Sequence, residues 1–418
     1  MTLLDICKCV SAVLGLLLTV CYAYQLVYLF VPFFVKKQCR KAAKQHRYAI
    51  LIAARNEETV LPYLLQTVAG QDYPSDLYRT FVVADNCTDR TAQVARENGA
   101  TVFERFNTQQ VGKGYALDHL LRRIDETEGL DSFDAFLVFD ADNLLQPDYI
   151  TQINKLCDAG YEGFCGYRNS KNFGTSWVSA GHAIWYLHDS VHLNQSRMLL
   201  GNPCAVTGTG FGFTRQLLKK CGGWKFFTLT EDIEFSTWCA TRGIRIGYCH
   251  DAVLFDEQPE KFRQSWRQRT RWTQGGAQVS VRYAGDLFRG IVKGGRTGYA
   301  SLETATLSLW GYGTGAVCAA VTLLAVLLST GWMGLGRALL TPLLSTWGIS
   351  FLMGGLTLLT EWERIRATTG QKLMGLLAFP MYMLTYIPIS VTALFRKFHW
   401  PPIEHTVAIS GQAMQENR

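Results

Sequence analysis

The chain has 418 residues, 48% of them hydrophobic and only 18% charged, where a soluble globular protein usually carries about 25% charge. The charge is missing in blocks. Residues 9–35, 304–336, 338–360 and 373–395 contain no Asp, Glu, Lys or Arg, and about 20 apolar residues suffice to cross a bilayer. The net charge of +7 does not argue for nucleic acid, because much of it flanks these blocks, where anionic headgroups attract it, and no nucleic-acid recognition motif occurs.

The first apolar block is followed by Lys36, Lys37, Arg40, Lys41 and Lys44. That basic flank marks the cytoplasmic end and places Met1 outside. The block is too long for a secretory signal and no A-x-A cleavage site follows it. Residues 1–44 are therefore expected to be a transmembrane helix with a basic flank, in an integral protein of the plasma membrane. The twelve cysteines are scattered, and only Cys7 and Cys9 lie close together. None has metal-ligand spacing, so they are read as reduced thiols packed as small hydrophobes.

Residues 45–282 read as one cytoplasmic α/β domain. Strands are expected over 48–54, 80–84 and 135–139, and helices over 57–69 and 91–98, from their apolar spacing. This alternation predicts a mostly parallel sheet with ligands at the strand C-terminal ends. Polar groups stand at each of those ends: Arg55-Asn56-Glu57, then Asp85-Asn86, then Asp140-Ala141-Asp142. Alternate residues of an extended segment face one side, so Asp140 and Asp142 together can hold Mg²⁺ or Mn²⁺, which prefer oxygen ligands. The alternative is a solvated turn before Pro147.

Lys113 sits in Val111-Gly-Lys-Gly114, as a site lysine or as a solvated loop residue. Gly208-Thr209-Gly210 allows close approach of backbone, or is a plain tight turn. Thr230-Glu231-Asp232 precedes a helical run, with Thr230 as the expected N-cap and two carboxylates in the first turn. A carboxylate fixed in that way suits a general base. In QSWRQRTRWTQGG, residues 264–276, Gln268, Arg269, Arg271 and Trp272 crowd together. A ligand with an anionic part and a flat apolar part explains the mixture, and a helix lying on the membrane is the alternative.

Taken in order, AARNEE, VVADNCTD, GKGYALD, FDAD, TED and QRTRW resemble the inverting family-2 glycosyltransferases over roughly residues 48–275. The D-x-D, T-E-D and Q-x-x-R-W set is similar to that of their membrane-embedded, processive polysaccharide synthases, which make cellulose, chitin or hyaluronan. The resemblance implies an A-type nucleotide-sugar fold combined with transmembrane helices. It implies a UDP-sugar donor held by Ala54, Arg55, Glu57, Asp85, Lys113, Asp140, Gln268 and Arg269, with Asp85 at the uracil. It further implies a divalent metal on Asp142 and Asp140. Asp232 would deprotonate the acceptor and Arg271 would stabilise the departing diphosphate. Trp272, Thr209, Gly210 and Glu231 would meet the acceptor. The product would be β-linked, with glucose the first sugar expected and N-acetylglucosamine the second, and a glycan or glycolipid acceptor.

Residues 283–300 are expected to form an interfacial helix, and 301–398 the C-terminal membrane segments. The fourth apolar block is interrupted by Pro380 and Pro388, so it is read as re-entrant or interfacial, with a kinked spanning helix as the alternative. The basic pair Arg396-Lys397 then leaves the tail, 399–418, in the cytoplasm, and Trp400 to Thr406 resembles a gating segment. Four blocks are few beside larger synthases, so a conduit would call for a second copy or an accessory subunit, and the alternative is a non-processive transferase that adds one sugar to a lipid or short acceptor.

Overall fold

The computed structural model describes residues 1–35 and 42–395. The basic residues 36–41 and the tail with its expected gating segment lie outside the described residues.

Strand β1 (Tyr48–Ala54) is buried at all positions but one, as expected of a run covered on both faces. It pairs in parallel with β2 (Tyr78–Asp85) and β4 (Ala135–Asp140), while β2 pairs in parallel with β3 (Thr101–Arg105). The remaining strands are β5 (Leu144–Leu145), β6 (Gly163–Ser170), β7 (Phe211–Thr214) and β8 (Ile246–Asp256). The eight-stranded sheet runs β3-β2-β1-β4-β7-β6-β8-β5. β7 is antiparallel to β4 and β6, and β5 to β8, whereas β6 and β8 are parallel.

Helices α1 (Leu3–Phe34), α2 (Leu61–Ala69), α3 (Thr91–Glu97), α4 (Lys113–Thr127) and α5 (Tyr149–Asp158) precede β6. Trp177–His188 (α6), a π-helical stretch Asp189–Gln195, and Ser196–Leu199 (α7) run on as one buried rod. α8 (Arg215–Cys221), α9 (Glu231–Arg242) and α10 (Phe262–Arg282) complete the domain. One sheet face packs on α2, α3 and α5 through residues such as Ile50, Val82, Leu64 and Ile153. The other packs on α4, α6, α8 and α9 through Leu51, Phe136, Leu120 and Ile184. The helix expected from Glu57 starts only at Leu61. Asn56 turns the chain with φ of 57°, and the Glu57 and Glu58 N–H groups donate to Thr91 Oγ1 and Asp89 Oδ2 instead of opening a helix.

Two helices, α11 (Ala284–Lys293) and α12 (Gly295–Thr306), occupy the stretch expected to be one interfacial helix. Then come α13 (Leu309–Thr330), α14 (Trp332–Glu361), α15 (Thr369–Leu384) and α16 (Tyr386–Phe395). Among the described residues, four helical segments are long and apolar enough to cross a membrane: α1, α13, α14 and Thr369–Ala393. Val13, Leu16, Val20, Leu339 and Leu344 stay exposed, which suits a lipid environment. The chain turns at Gly331, whose φ of 61° favours glycine. Arg337 lies inside α14.

Contacts from both ends of the chain join these apolar helices to the sheet domain. At the end of α1, the Tyr28 carbonyl accepts from Ser196 Oγ at 2.7 Å, and the Leu29 carbonyl pairs with His192 Nδ1 at 3.0 Å. α15 and α16 lie along α6 and α10. Gln371 Nε2 donates to the Gly174 carbonyl at 3.2 Å, the Tyr382 ring closes on Gly181, and Gln274 Nε2 donates to the Ala393 carbonyl at 2.9 Å.

Candidate active site

Parallel strands bring their C-terminal ends to one edge, and the polar residues gather there. Asp85, at the end of β2, is buried and accepts from Arg105 Nη1 at 2.6 Å. Asp140 ends β4, and its backbone N–H donates to Asn143 Oδ1 at 3.1 Å and Thr209 Oγ1 at 2.9 Å. Those bonds turn the chain sharply after the strand and fix the acidic pair. Asp142 Oδ2 accepts from the Glu257 N–H at 3.0 Å.

Lys113, the first residue of α4, reaches into this edge. Its Nζ donates to Asp140 Oδ1 at 2.6 Å and to the Gly208 carbonyl at 2.9 Å, and stands 3.9 Å from Glu231 Oε1. Burial works against the ammonium, but Asp140 and Glu231 outweigh it and hold its pKa above the usual value. Of the two readings of Lys113, the solvated one is not what the fold adopts.

Gly208 has φ of 84°, and a Cβ there would meet Arg168 Nη1 at 2.9 Å. Its N–H donates to Asp232 Oδ2. Asp232 and Glu231 open α9, and both are buried. Burial, and next the charge of Asp232, push the Glu231 carboxyl upward, against Lys113 and Arg271. Thr230 occupies the N-cap position without capping, and its Oγ1 has no partner among the described residues. Glu234 instead holds the loop before the helix, accepting from the Phe227 and Thr228 N–H groups, each at 2.9 Å.

On α10, Arg271 Nη1 donates to the Leu229 carbonyl at 3.4 Å, and its charge reaches Glu231. Gln268 keeps a buried Oε1 that has no partner among the described residues. Trp272 is half-buried and meets the His182 and Tyr186 rings edge to face, at 5.7 and 6.1 Å between centroids. Ala54 is buried, and its carbonyl accepts from Cys87 Sγ at 3.5 Å. Arg55 and Glu57 are half-buried beside it.

Three expected contacts are redirected. Arg269 is fully buried. Its Nη1 donates to the Tyr382 carbonyl at 3.2 Å and to Thr385 Oγ1 at 2.8 Å, and its guanidinium lies 4.4 and 4.8 Å from the Tyr382 and Tyr386 ring centroids. Through these contacts it holds α15 and α16, while its Nε and Nη2 have no partner among the described residues. Thr209 is buried and spends its hydroxyl on Asn143 and Asp140. Gly210 spends its N–H on the Val138 carbonyl, while its own carbonyl accepts from Tyr149 and Gly166. A Cβ on Gly210 would meet Leu254 at 1.8 Å. The polar groups of this turn are thus largely spent on holding its own shape.

Sequence reasoning missed the pair behind the site. Arg168 forms a buried ion pair with Asp256, donates to the Thr207 carbonyl at 2.8 Å and stacks 3.6 Å over Tyr186. Burial pushes the Asp256 carboxyl up to about 7, against the pull of Arg168. An arginine inside a strand and an aspartate closing another were the available signals.

An α/β sheet with acidic strand ends, a lysine bridging to a backbone turn and paired carboxylates at a helix start thus stand beside helices long and apolar enough to cross a membrane. Residues 46–275 match the family model described as "Glycosyltransferase like family 2", and the chain belongs to that family. A probable glycosyltransferase YdaM of Bacillus subtilis is 26% identical, covering 58% of each chain. A beta-monoglucosyldiacylglycerol synthase of Nostoc is 29% identical over 56% of this chain and 50% of that protein. A poly-beta-1,6-N-acetyl-D-glucosamine synthase of Staphylococcus aureus is 26% identical over 56% of this chain and 55% of that one. The chain thus spans about half the length of the curated relatives it matches. A mannosyltransferase from Pyrobaculum calidifontis, solved with GDP-Man and Mn²⁺, shares the fold with a TM-score of 0.58 at 18% identity, over 93% of this chain and 99% of that one.

Proposed function

We propose that the chain is an inverting membrane glycosyltransferase that moves a sugar from a UDP-sugar to the end of a growing β-linked polysaccharide. The observation that carries this reading is the turn at Gly208. Its carbonyl accepts from Lys113, the partner of Asp140, while its N–H holds Asp232. The donor-side charge and the acceptor-side base thus stand on either side of one residue, close enough for a single displacement. Asp232 takes the proton of the incoming hydroxyl, and Glu231 bonds the acceptor beside it. Arg271 supports the charge that develops on the diphosphate, with Gln268 alongside. Asp85 faces the uracil, Ala54, Arg55 and Glu57 line the donor, and Trp272 gives the acceptor sugar a flat surface.

Asp140 and Asp142 suit Mg²⁺ or Mn²⁺, being hard oxygen donors fixed at a strand end. No group of three His, Cys, Asp or Glu ligands occurs among the described residues, so phosphate oxygens of the donor would complete the cation's shell. Bound there, the cation would neutralise the leaving diphosphate.

The packing of α15 and α16 along α6 and α10 supports a fourth segment that stays at the cytoplasmic face, with α1, α13 and α14 crossing the plasma membrane. The tail then lies on the side of the catalytic domain, and α11 and α12 lie at the interface. Three crossing helices make a narrow conduit, which is why a second copy or an accessory subunit remains part of the reading. The similarity to monoglucosyldiacylglycerol synthases favours a second reading, transfer of one sugar to a lipid.

Purified full-length protein assayed first with UDP-glucose and next with UDP-N-acetylglucosamine decides between them. Polymer on a gel supports the synthase, and Trp272→Ala should then shorten the product while UDP affinity holds. One added sugar on a lipid would rule the synthase out. No transfer from any nucleotide sugar would remove the enzyme reading altogether.

A further inference from the structure

Lys171 follows the last residue of β6, and its backbone N–H donates to the Asp256 carbonyl at 2.9 Å. The residue is 7% exposed. Among the described residues its ammonium makes no hydrogen bond and has no carboxylate within ion-pair distance. Its surroundings are nonetheless acidic: Asp142, Glu257, Asp256 and Glu57 act on it, Asp142 most strongly. Asp256 is already engaged by Arg168 and Gln258, and one oxygen of Asp142 by the Glu257 N–H.

A lysine present only to balance those carboxylates would close an ion pair with one of them, and this one closes none among the described residues. Its backbone bond to Asp256, next to the Glu257 N–H that holds Asp142, sets it at the acidic strand ends. We propose that Lys171 is a donor-binding residue whose ammonium bonds a non-bridging oxygen of the donor's diphosphate on the Asp142 side. Each carboxylate of the D-x-D motif then has its own lysine, Lys113 on Asp140 and Lys171 beside Asp142. The proposal rests on the donor-site reading given above.

The test compares nucleotide and nucleoside binding to the full chain in detergent with Mg²⁺, using Lys171→Met, which keeps the length of the stem, and Lys171→Arg. UDP and GDP are titrated by calorimetry, and uridine is followed by saturation-transfer NMR. A charge-assisted bond to phosphate predicts that Lys171→Met weakens diphosphate binding about tenfold or more. Uridine binding should change less than about twofold, and Lys171→Arg should retain part of the diphosphate affinity. Equal diphosphate affinity in Lys171→Met and wild type would overturn the proposal and leave Lys171 as a charge balancer. Equal losses for UDP and uridine would overturn it too, by showing a disturbance of the whole site. A wild-type protein that binds neither UDP nor GDP would instead bring down the donor-site reading, and this inference with it.

Discussion

Lys113 and Asp232 meet at one residue, Gly208, from opposite sides. The lysine donates to the Gly208 carbonyl at 2.9 Å, and the aspartate accepts from the Gly208 N–H. The two side chains come from the first residue of α4 and the first turn of α9, so neither can shift without moving the turn between them. A change at Lys113 should therefore be felt on the acceptor side as well. Lys113→Met is expected to lower kcat/KM about 10–100-fold, the value of one charge-assisted bond, with loss in both donor KM and kcat. Steady-state kinetics over both substrates checks this, and a loss in donor KM alone would show that the shared turn does not transmit the change.

Asp232→Asn keeps the shape of the side chain and removes the proton acceptor. Transfer should fall about 10²–10⁴-fold, while UDP affinity measured by calorimetry stays near wild type. An equal loss of UDP binding would make Asp232 a binding residue.

Arg271 and Arg269 stand two residues apart and should fail differently. Arg271→Ala is expected to cut transfer about 10²–10³-fold with every acceptor, as when a preorganised donor to developing charge is removed. Arg269→Ala opens the packing against Tyr382 and Tyr386 and should lower the melting temperature in detergent by several degrees, with UDP affinity unchanged. Loss of UDP binding in folded Arg269→Ala would return this arginine to the donor site.

The raised Glu231 carboxyl sets a sign for the dependence of stability on pH. The folded protein binds that proton more tightly than the unfolded chain, so this group's contribution favours folding at low pH and is lost as pH rises above the ordinary glutamate value of 4.5. Glu231→Gln should flatten the fall of melting temperature on raising pH through the weakly acid range. An unchanged slope in the variant would assign the effect to other carboxylates, such as Asp256.

Excess chelator should abolish transfer, and Mg²⁺ or Mn²⁺ should restore it. Asp142→Asn should cost at least about a thousandfold, since a metal at a leaving diphosphate supplies several kcal/mol of charge stabilisation. Full turnover in chelator would remove the metal from the mechanism.

Much of the site could be read from the chain because it lies at the ends of elements. Asp85, Asp140 and Asp142 close apolar strands, and Glu231 and Asp232 open a helix, so element boundaries alone brought them together. The direction of Arg269 was legible as well, though not used. Gln268, Arg271 and Trp272 share a face at i, i+3 and i+4, and Arg269 steps about 100° away from it. Arg168, Lys171 and Asp256 were not legible in this way. They become neighbours because β6 pairs with β8, which brings Arg168 to Asp256 across a sequence separation of 88, and no local pattern announces which distant strands will pair. Lengths of the apolar blocks located the long apolar helices, but the turn between two of them followed a backbone angle at Gly331.

The end of α1 hands two backbone carbonyls, those of Tyr28 and Leu29, to Ser196 and His192 at the far end of the rod that begins with α6. If α1 crosses a membrane as proposed, it acts as a gauge and not only as a tether. It would then set how high the acidic strand ends ride above the lipid headgroups and which way they face.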